Sequence, residues 1–362
     1  MKRPFLVPLT ALLCVISGVS CSKDGPETKP VTENRVVAVD PSHFISEALV
    51  GEIVKEERTL SDGSTALCYV IQAYSKPHEH QMGPWAPKTI TDDKKAGGIW
   101  LKDGQIYDVD GPFVKNIAEL YNDPEWKLYR EDGSIRITDT REAFEAAARP
   151  DVDPDYHHYV VEGRPEWVAD KITTYVIPVN PVLLDEPLFI GGGPGGPGEK
   201  GEKGGPPPHH HDEEGHHESH EAPPRPRGGR GAGQGGIGVA FNGVNFDPPA
   251  PLEAIIAAHT IAPFDDAGGH INPHEGYHYH AATGHTKEIA QPDGHAPMIG
   301  YALDGFGLFA HLDEEGNTPG DLDECGGHYD EKRGYHYHVG SPGSNLIISA
   351  FRGQPGSVTV AP

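Results

Sequence analysis

The amino-acid sequence predicts a mainly β fold, or a β-rich α+β fold, in which one turn-rich globular domain is interrupted by a disordered insertion. Three observations support this prediction. The 362 residues include 46 Gly and 35 Pro, a level that indicates many turns and few long helices. Short runs of β-forming apolar residues are separated by turn signals. A segment rich in Gly, Pro and His divides the chain, and such a composition cannot bury a core.

A targeting segment of the signal-peptide type is expected at residues 1–20. Two basic residues precede a mostly apolar stretch, residues 5–18, that is too short and wrongly flanked to span a membrane. Cys21 stands where bacterial lipoproteins are cleaved and acylated, although Gly18 occupies a position where such signals usually carry Leu. Ordinary secretion with cleavage nearby is the alternative. We therefore expect an exported protein, anchored in a membrane through Cys21 and facing the periplasm or the cell surface.

The net charge limits the partners of the exported chain. The formal net charge is −25 at pH 7, and it becomes −27 without residues 1–20, which contain one Lys, one Arg and no acid. Such a surface repels nucleic acid and anionic lipid and attracts cations. We expect no nucleic-acid partner and no membrane contact beyond the lipid anchor, and no particular protein partner is indicated. The polar residues 21–42 are expected to form a tether.

Residues 43–190 are predicted to be the first part of the globular domain. Residues 67–73 form an apolar run of β-forming residues. Residues 98–109 alternate around a Lys-Asp-Gly turn that favours a hairpin. Residues 141–149 carry the clearest helix pattern, with Thr140 as its predicted N-cap.

Residues 191–236 form the low-complexity insertion. Five Gly-x-y triplets start at Gly192, and a His/acid cluster at 209–220 and an Arg/Gly run follow. Five triplets are few for a collagen triple helix, so a flexible loop is expected. The histidines of the cluster would bind metal ions weakly and without fixed geometry, or would only belong to a solvated linker.

Residues 237–362, the second part of the domain, contain an internal duplication. Residues 265–280 read DDAGGHINPHEGYHYH, and residues 323–338 read DECGGHYDEKRGYHYH. The two copies align without a gap, from Asp265 with Asp323 to His280 with His338, and share Asp-x-x-Gly-Gly-His-x6-Tyr-His-Tyr-His. Chance does not produce two such copies in one chain, so both copies must have the same structural role.

The motif has the chemistry of a transition-metal site. Tyr-His-Tyr-His favours a strand with both histidines on one face, and the Gly pair allows a turn of positive φ that brings a third histidine back. Imidazole suits copper or zinc better than calcium. The aspartates are further ligands or hydrogen-bond partners of the ligand rings. The predicted site residues are His270, His278, His280, His328, His336, His338, Asp265 and Asp323.

Two questions stay open at this point. The spacing is compatible with one shared metal site or with two separate sites. The same His, Tyr and Asp side chains can also form a hydrogen-bonded network that contains no metal.

Other residues are weaker candidates. His78 and His80 form another His-x-His that either completes the site or lies in a surface loop. Cys68 and Cys325 either form a disulfide in an oxidising compartment or stay two independent buried thiols. Five histidines near the repeat in sequence are candidates for one or two further ligands: His259, His274, His285, His295 and His311.

On these motifs the sequence resembles the YHYH family of bacterial exported proteins, which is named after the tetrapeptide. The resemblance covers about residues 70–352 apart from the insertion. It implies no reaction. Family members often carry Cys at the positions of Ala86 and Ala267, which implies that this chain has lost a paired disulfide. This comparison favours a Cys68–Cys325 bridge.

We therefore expect an extracytoplasmic, lipid-anchored protein that binds a transition metal through the duplicated motif. A metal-dependent exported enzyme, an oxidoreductase or a hydrolase, is the alternative, and it requires an open coordination position beside a pocket. A surface structural or adhesion protein without metal is the second alternative. The sequence contains no nucleophile elbow, phosphate loop or dinucleotide fingerprint.

Overall fold

The computed structural model describes residues 36–149, 151–168, 171–191 and 236–361. The predicted targeting segment with Cys21, most of the tether and nearly all of the insertion lie outside these ranges. Within them the chain forms sixteen β-strands and three α-helices, so the prediction of a mainly β fold is confirmed. No helix of the described residues is long and apolar enough to cross a membrane.

The strands and helices are short. In chain order the strands are β1 Val54–Thr59, β2 Thr65–Tyr74, β3 Ile99–Lys102, β4 Gln105–Asp108, β5 Ile172–Pro178, β6 Leu183–Phe189, β7 Gly238–Ala240, β8 Asn245–Phe246, β9 Gly269–Asn272, β10 Gly276–Tyr279, β11 Met298–Ala302, β12 Gly307–Phe309, β13 Gly327–Asp330, β14 Gly334–His338, β15 Ala350–Gly353 and β16 Ser357–Val360. The helices are α1 Gly111–Leu120, α2 Arg141–Ala147 and α3 Leu252–Ala257.

Local sequence signals explain the first elements. Strands β3 and β4 form the predicted hairpin, and its two turn residues, Asp103 and Gly104, have φ angles of 52° and 74°. Positive φ at both positions gives the turn a twist that matches the strands. Helix α2 starts after Thr140, whose side chain accepts a hydrogen bond from the Ala143 N–H as the predicted N-cap.

A four-stranded antiparallel sheet has the order β1-β2-β5-β16. Its two central strands bury side chains such as Ile71 and Tyr175 in the main core. The Tyr175 hydroxyl donates to the Gly243 carbonyl at 3.0 Å, in the turn between β7 and β8. This sheet therefore packs against the strands that begin the second part of the domain.

The larger sheet is close to a palindrome. Its order is β13-β14-β12-β11-β7-β8-β10-β9, with an antiparallel β11–β7 pair at the centre. Each central strand forms an inner hairpin with its neighbour, β7 with β8 and β11 with β12. Each inner hairpin then pairs in parallel with a strand that carries the histidine motif, β8 with β10 and β12 with β14. The two histidine hairpins, β9–β10 and β13–β14, thus lie at opposite ends of one sheet.

The palindrome shows that the duplication is larger than the histidine motif. The register of the inner strands against the histidine strands relates Asn242 to Asp304 and Pro248 to Ala310. Asn242 bonds to the hydroxyl of Tyr279, and Asp304 accepts from the hydroxyl of the equivalent Tyr337. Four strands in each half are therefore copies of one unit.

The expected Cys68–Cys325 disulfide is wrong, because both residues are free, buried thiols. Cys68 lies on β2 and packs against Leu60 and Val176 in a small cluster of its own. Cys325 lies in the turn before β13, at the position that Ala267 has in the first copy, and belongs to the main core. The two thiols thus sit in different hydrophobic clusters, and burial raises the pKa of each.

Candidate metal centres

The first histidine cluster lies on the β9–β10 hairpin. The strand register places His270 opposite His278, and His280 follows β10 with its ring beside both. Their Nε2 atoms form a triangle with sides of 3.0 Å from His270 to His278, 3.1 Å from His278 to His280 and 3.1 Å from His280 to His270. The structure therefore brings together the three predicted histidines of the first copy.

The Gly-Gly pair of the motif has two separate roles. Gly268 has φ +83°, a conformation that L side chains rarely adopt. A Cβ at Gly269 would lie 2.4 Å from Cζ of Tyr277, so only glycine lets that ring reach across the hairpin. The first glycine thus makes the turn and the second makes room for the tyrosine.

Backbone hydrogen bonds fix the tautomers in the first cluster. His278 Nδ1 donates to the Gly276 carbonyl at 3.1 Å, and His280 Nδ1 donates to the Pro248 carbonyl at 2.6 Å. Because a carbonyl oxygen only accepts, each Nδ1 carries the proton and each Nε2 presents a lone pair. Burial lowers the pKa of both imidazoles, so both are neutral at pH 7. Two lone pairs therefore face each other across 3.1 Å, and no hydrogen bond can satisfy that contact.

The second cluster repeats this geometry on the β13–β14 hairpin and adds a fourth ring. His328 lies opposite His336, with His338 beside them. His295, from the segment before β11, is the fourth member. His336 Nε2 lies 3.0 Å from Nε2 of both His328 and His295, and ligand nitrogens of all four lie within 4.8 Å of one another.

Every Nδ1 atom of the second cluster is paired with an oxygen. His295 Nδ1 bonds to the Ala296 carbonyl at 2.9 Å, and His336 Nδ1 bonds to the Gly334 carbonyl at 3.0 Å. His338 Nδ1 bonds to the Ala310 carbonyl at 3.0 Å, and His328 Nδ1 bonds to the Asp321 carboxylate at 2.8 Å. The other ring nitrogens of the four histidines consequently converge. The buried Nε2 of His338 has no hydrogen-bond partner. Burial lowers the pKa of His336 to about 4 and that of His338 to about 3.

Both clusters fit a transition-metal ion. Bonds of about 2.0–2.1 Å to a tetrahedral ion place ligand nitrogens about 3.3–3.4 Å apart, close to the 3.0–3.1 Å of the first cluster. Four imidazoles match a closed structural site, and three imidazoles match a site with one open position. Calcium takes six to eight oxygens, whereas these clusters present nitrogens.

A cavity of about 810 Å³ adjoins the first cluster and is lined by all three of its histidines. Asp247 and Glu275 line the same cavity, and Asp247 Oδ2 lies 3.7 Å from His278 Nε2. Burial and a hydrogen bond with Glu275 raise the pKa of Asp247 well above its ordinary value. Oxygens of both carboxyl groups lie within 4.8 Å of a His278 nitrogen, beside the open side of the cluster.

The structure gives the two predicted aspartates a role in the turns. Asp265 accepts from the Tyr277 hydroxyl at 2.8 Å and from the backbone N–H groups of Ala267 and Gly269. Asp323 makes the same three kinds of contact in the second copy. Neither aspartate belongs to a group of described residues that could hold a metal ion. Each aspartate stabilises its turn and binds the tyrosine hydroxyl, on the face of the hairpin opposite the histidines.

His78 and His80 are not brought into either cluster. His78 is exposed, and His80 Nε2 lies 3.2 Å from the Tyr277 hydroxyl, on the tyrosine side of the first hairpin. Of the five further histidines near the repeat, His295 is the one that joins a cluster within the described residues.

Sequence reasoning missed the carboxyl pair and the partner of His328. Asp247 reaches the first cluster through the parallel pairing of β8 with β10, in which Asn245 lies opposite His278. Glu275 lies in the hairpin turn, where strand alternation carries no information. Asp321 lies in the loop between β12 and β13, where strand alternation carries no information either. A comparison of the two copies could have identified both acids. The second half has Phe309 where the first has Asp247, and Arg333 where the first has Glu275.

A family model described as YHYH protein matches residues 227–320. The match includes the first histidine hairpin and His295 and ends before the second hairpin. It confirms the predicted resemblance to the YHYH family over these residues. No curated protein and no solved structure shows a significant match.

Proposed function

We propose that this chain is an exported, lipid-anchored protein that binds transition-metal ions, zinc or copper, at two separate histidine sites. The convergence of lone pairs carries the proposal. In the four-histidine cluster every Nδ1 donates to an oxygen, so each neutral ring presents only a lone pair at Nε2. Burial lowers the pKa of His336 to about 4 and that of His338 to about 3, so these two rings are neutral at pH 7. A metal-free network of neutral histidines would alternate donors and acceptors instead. A bound cation is the partner that such a cluster requires.

Two sites are supported over one by the sheet order. The two histidine hairpins lie at opposite ends of the eight-stranded sheet, with four strands between them. Each cluster is complete within its own half of the duplication. Imidazole nitrogens alone favour zinc or copper, and both metals suit a site outside the cytoplasm.

Export and anchoring are proposed from the sequence of the first 21 residues, with their basic start, apolar stretch and Cys21. Radiolabelled fatty acid should enter the parent protein in a bacterial host and should be absent from a Cys21→Ala variant. Parent protein that stays unlabelled would overturn the anchor without touching the metal sites.

Elemental analysis tests the metal sites directly. The six histidines of 209–220 are replaced by Ser in every sample and no histidine tag is used, so that weak binding by the insertion is removed. The parent should carry about two ions per chain after dialysis, since each cluster offers one coordination sphere. His278→Ala and His336→Ala should each lose one ion, and the exposed His78→Ala should lose none.

Two outcomes oppose the proposal. One is a parent protein that holds no metal. The other is a His278→Ala/His336→Ala double variant with the metal content of the parent.

A further inference from the structure

The two halves of the duplication differ beside their histidine clusters. In the alignment of the two motif copies Glu275 corresponds to Arg333, and in the alignment of the inner hairpins Asp247 corresponds to Phe309. Arg333 is 6% exposed and lies over the ring of Phe309. That ring packs against His336 with 4.9 Å between centroids. An aromatic ring and a guanidinium thus fill the space beside the second cluster, where the first half has two carboxyl groups.

The fourth coordination position differs as well. His295 completes the second cluster, and the alignment of the inner hairpins, extended towards the N-terminus, places Gly233 at the equivalent position of the first half, outside the described residues. Among the described residues the first cluster therefore offers three nitrogens and has no counterpart of the fourth ring. On its remaining side lies the cavity.

The cavity has the size and lining of a site for a small organic molecule. Its volume of about 810 Å³ falls within the range of about 300–1,000 Å³ that is common for such sites. Apolar walls are contributed by Trp85, Phe144 and Ile255, among others. The polar lining includes the three ligand histidines and the Asp247–Glu275 pair. A few convergent polar groups in an apolar cavity are the usual composition of a binding site.

The carboxyl pair is held in place by two asparagines from the neighbouring strands. Asn245 on β8 donates to Asp247, and Asn272 on β9 donates to Glu275 at 3.1 Å. Oxygens of both and the His278 nitrogen lie within 4.8 Å of one another, so the pair reaches the position that a fourth metal ligand would occupy.

We propose that the metal ion of the three-histidine site keeps one exchangeable position on the cavity side, where the Asp247–Glu275 pair hydrogen-bonds a metal-bound water. A neutral, mainly apolar molecule with a carbonyl donor displaces this water. The inference rests on the proposed metal binding. The four-histidine site takes no such ligand, because its nitrogens fill a tetrahedral sphere and Phe309 and Arg333 cover it. The acidic pair and the negative chain disfavour an anionic ligand.

Cobalt(II) provides the readout, since its visible absorption changes when its coordination changes. The chain without the 209–220 histidines is loaded with cobalt at both sites and titrated with benzamide. Acetamide, which lacks the apolar ring, is the matched probe. Benzamide should change the absorption of one of the two cobalt ions in a saturable way. It should bind about ten-fold more tightly than acetamide, because its ring buries apolar surface.

Two variants test the role of the carboxyl pair. Asp247→Phe/Glu275→Arg copies the second half and should hold two cobalt ions without responding to benzamide. Glu275→Gln is the milder change and should weaken binding about ten-fold through loss of a charge-assisted hydrogen bond. Two bound cobalt ions with no response in the parent would overturn the inference and leave the proposed function standing. An unchanged affinity in Glu275→Gln would also overturn it. A parent that binds no metal would overturn the proposed function itself.

Discussion

The two copies of the motif contain the same tyrosine–aspartate hydrogen bond in two different environments. Tyr277 donates to Asp265, which is 1% exposed, over 2.9 and 2.8 Å to its two oxygens. Tyr335 donates to Asp323 over 3.1 and 2.9 Å, and Asp323 is exposed. Tyr→Phe at each position removes one hydroxyl and leaves both rings in place. The difference between the two variants in free energy of unfolding therefore measures how much burial strengthens this hydrogen bond.

The buried bond should cost more to remove. A hydrogen bond to a charged group contributes about 1.5–3 kcal/mol, and a buried acceptor left without its donor also loses its solvation. Tyr277→Phe further removes the hydroxyl that lies 3.2 Å from His80 Nε2. We expect Tyr277→Phe to lower the free energy of unfolding by about 2–3 kcal/mol. Tyr335→Phe should lower it by less than about 1 kcal/mol, because water replaces the donor at exposed Asp323.

Denaturant unfolding of metal-free protein in excess chelator measures both values, provided that the variants share one m value. Tyr329→Phe is the matched control, since Tyr329 is 52% exposed, and it should stay within about 0.5 kcal/mol of the parent. If Tyr277→Phe and Tyr335→Phe lower the free energy of unfolding equally, or if Tyr335→Phe lowers it more, the assignment of Asp265 as a buried structural acceptor is refuted. Metal content should not change in Tyr277→Phe, because the hydroxyl faces away from the histidines.

Three further outcomes are expected. Burial raises the pKa of Asp304 to about 6, so the folded state binds a proton that the unfolded state has released and stability falls as pH rises from 3.8 towards 6. In Asp304→Asn, the loss of stability between pH 4.5 and 7.5, measured by urea unfolding, should be smaller by about 2 kcal/mol; an equal loss contradicts this. Cys68 and Cys325 should react with a thiol reagent on denaturation without reductant, and two unreactive residues would mean a disulfide. Gly300→Ala puts a methyl 2.1 Å from a backbone oxygen of β7 and should cost about 3 kcal/mol, whereas Gly320→Ala, with open space, should be neutral in thermal unfolding.

The histidine faces were predictable because strand alternation is a local property. His278 and His280 share a face in any extended strand, and one turn of positive φ at Gly268 suffices to bring His270 back. The number of sites was not predictable, because it depends on the order of strands in the sheet. Nothing in the spacing of the two copies along the chain shows that four strands separate the two hairpins.

The role of the aspartates shows the limit of reading chemistry from residue type. Asp265 lies close to His270 in sequence, and a carboxylate near a histidine favours a metal site. In the folded hairpin the tyrosines occupy the opposite face from the histidines, and Asp265 bonds to that face. The Asp247 carboxyl, far away in sequence, reaches His278 instead through a parallel strand pair. Long-range pairing therefore decides which acid lies beside the first histidine cluster.

The two hairpins are held to the rest of the protein in different ways. In the first hairpin the Tyr277 N–H donates to the Ser75 carbonyl at 3.2 Å, and Asp265 accepts from the Gly83 N–H at 3.1 Å. Among the described residues, the equivalent groups of the second hairpin make no hydrogen bond to the chain before the insertion. That hairpin is joined to the segment before β11 by ion pairs of Lys332 and Arg333 with Asp293, at 2.7 and 2.6 Å, and through His295 when a metal ion is bound.

Removal of metal should therefore loosen the second hairpin more than the first. On addition of a chelator, hydrogen exchange in β13 and β14 should speed up by about ten-fold or more, because a bound metal at a large excess over its Kd protects by more than about 1.4 kcal/mol. Exchange in β9 and β10 should change less, since the Ser75 and Gly83 contacts persist without metal. A first hairpin that loses as much protection as the second would show that both depend on their metal alike. The closed site would then have no special role in fixing its strands, and the difference between the clusters would concern ligand access alone.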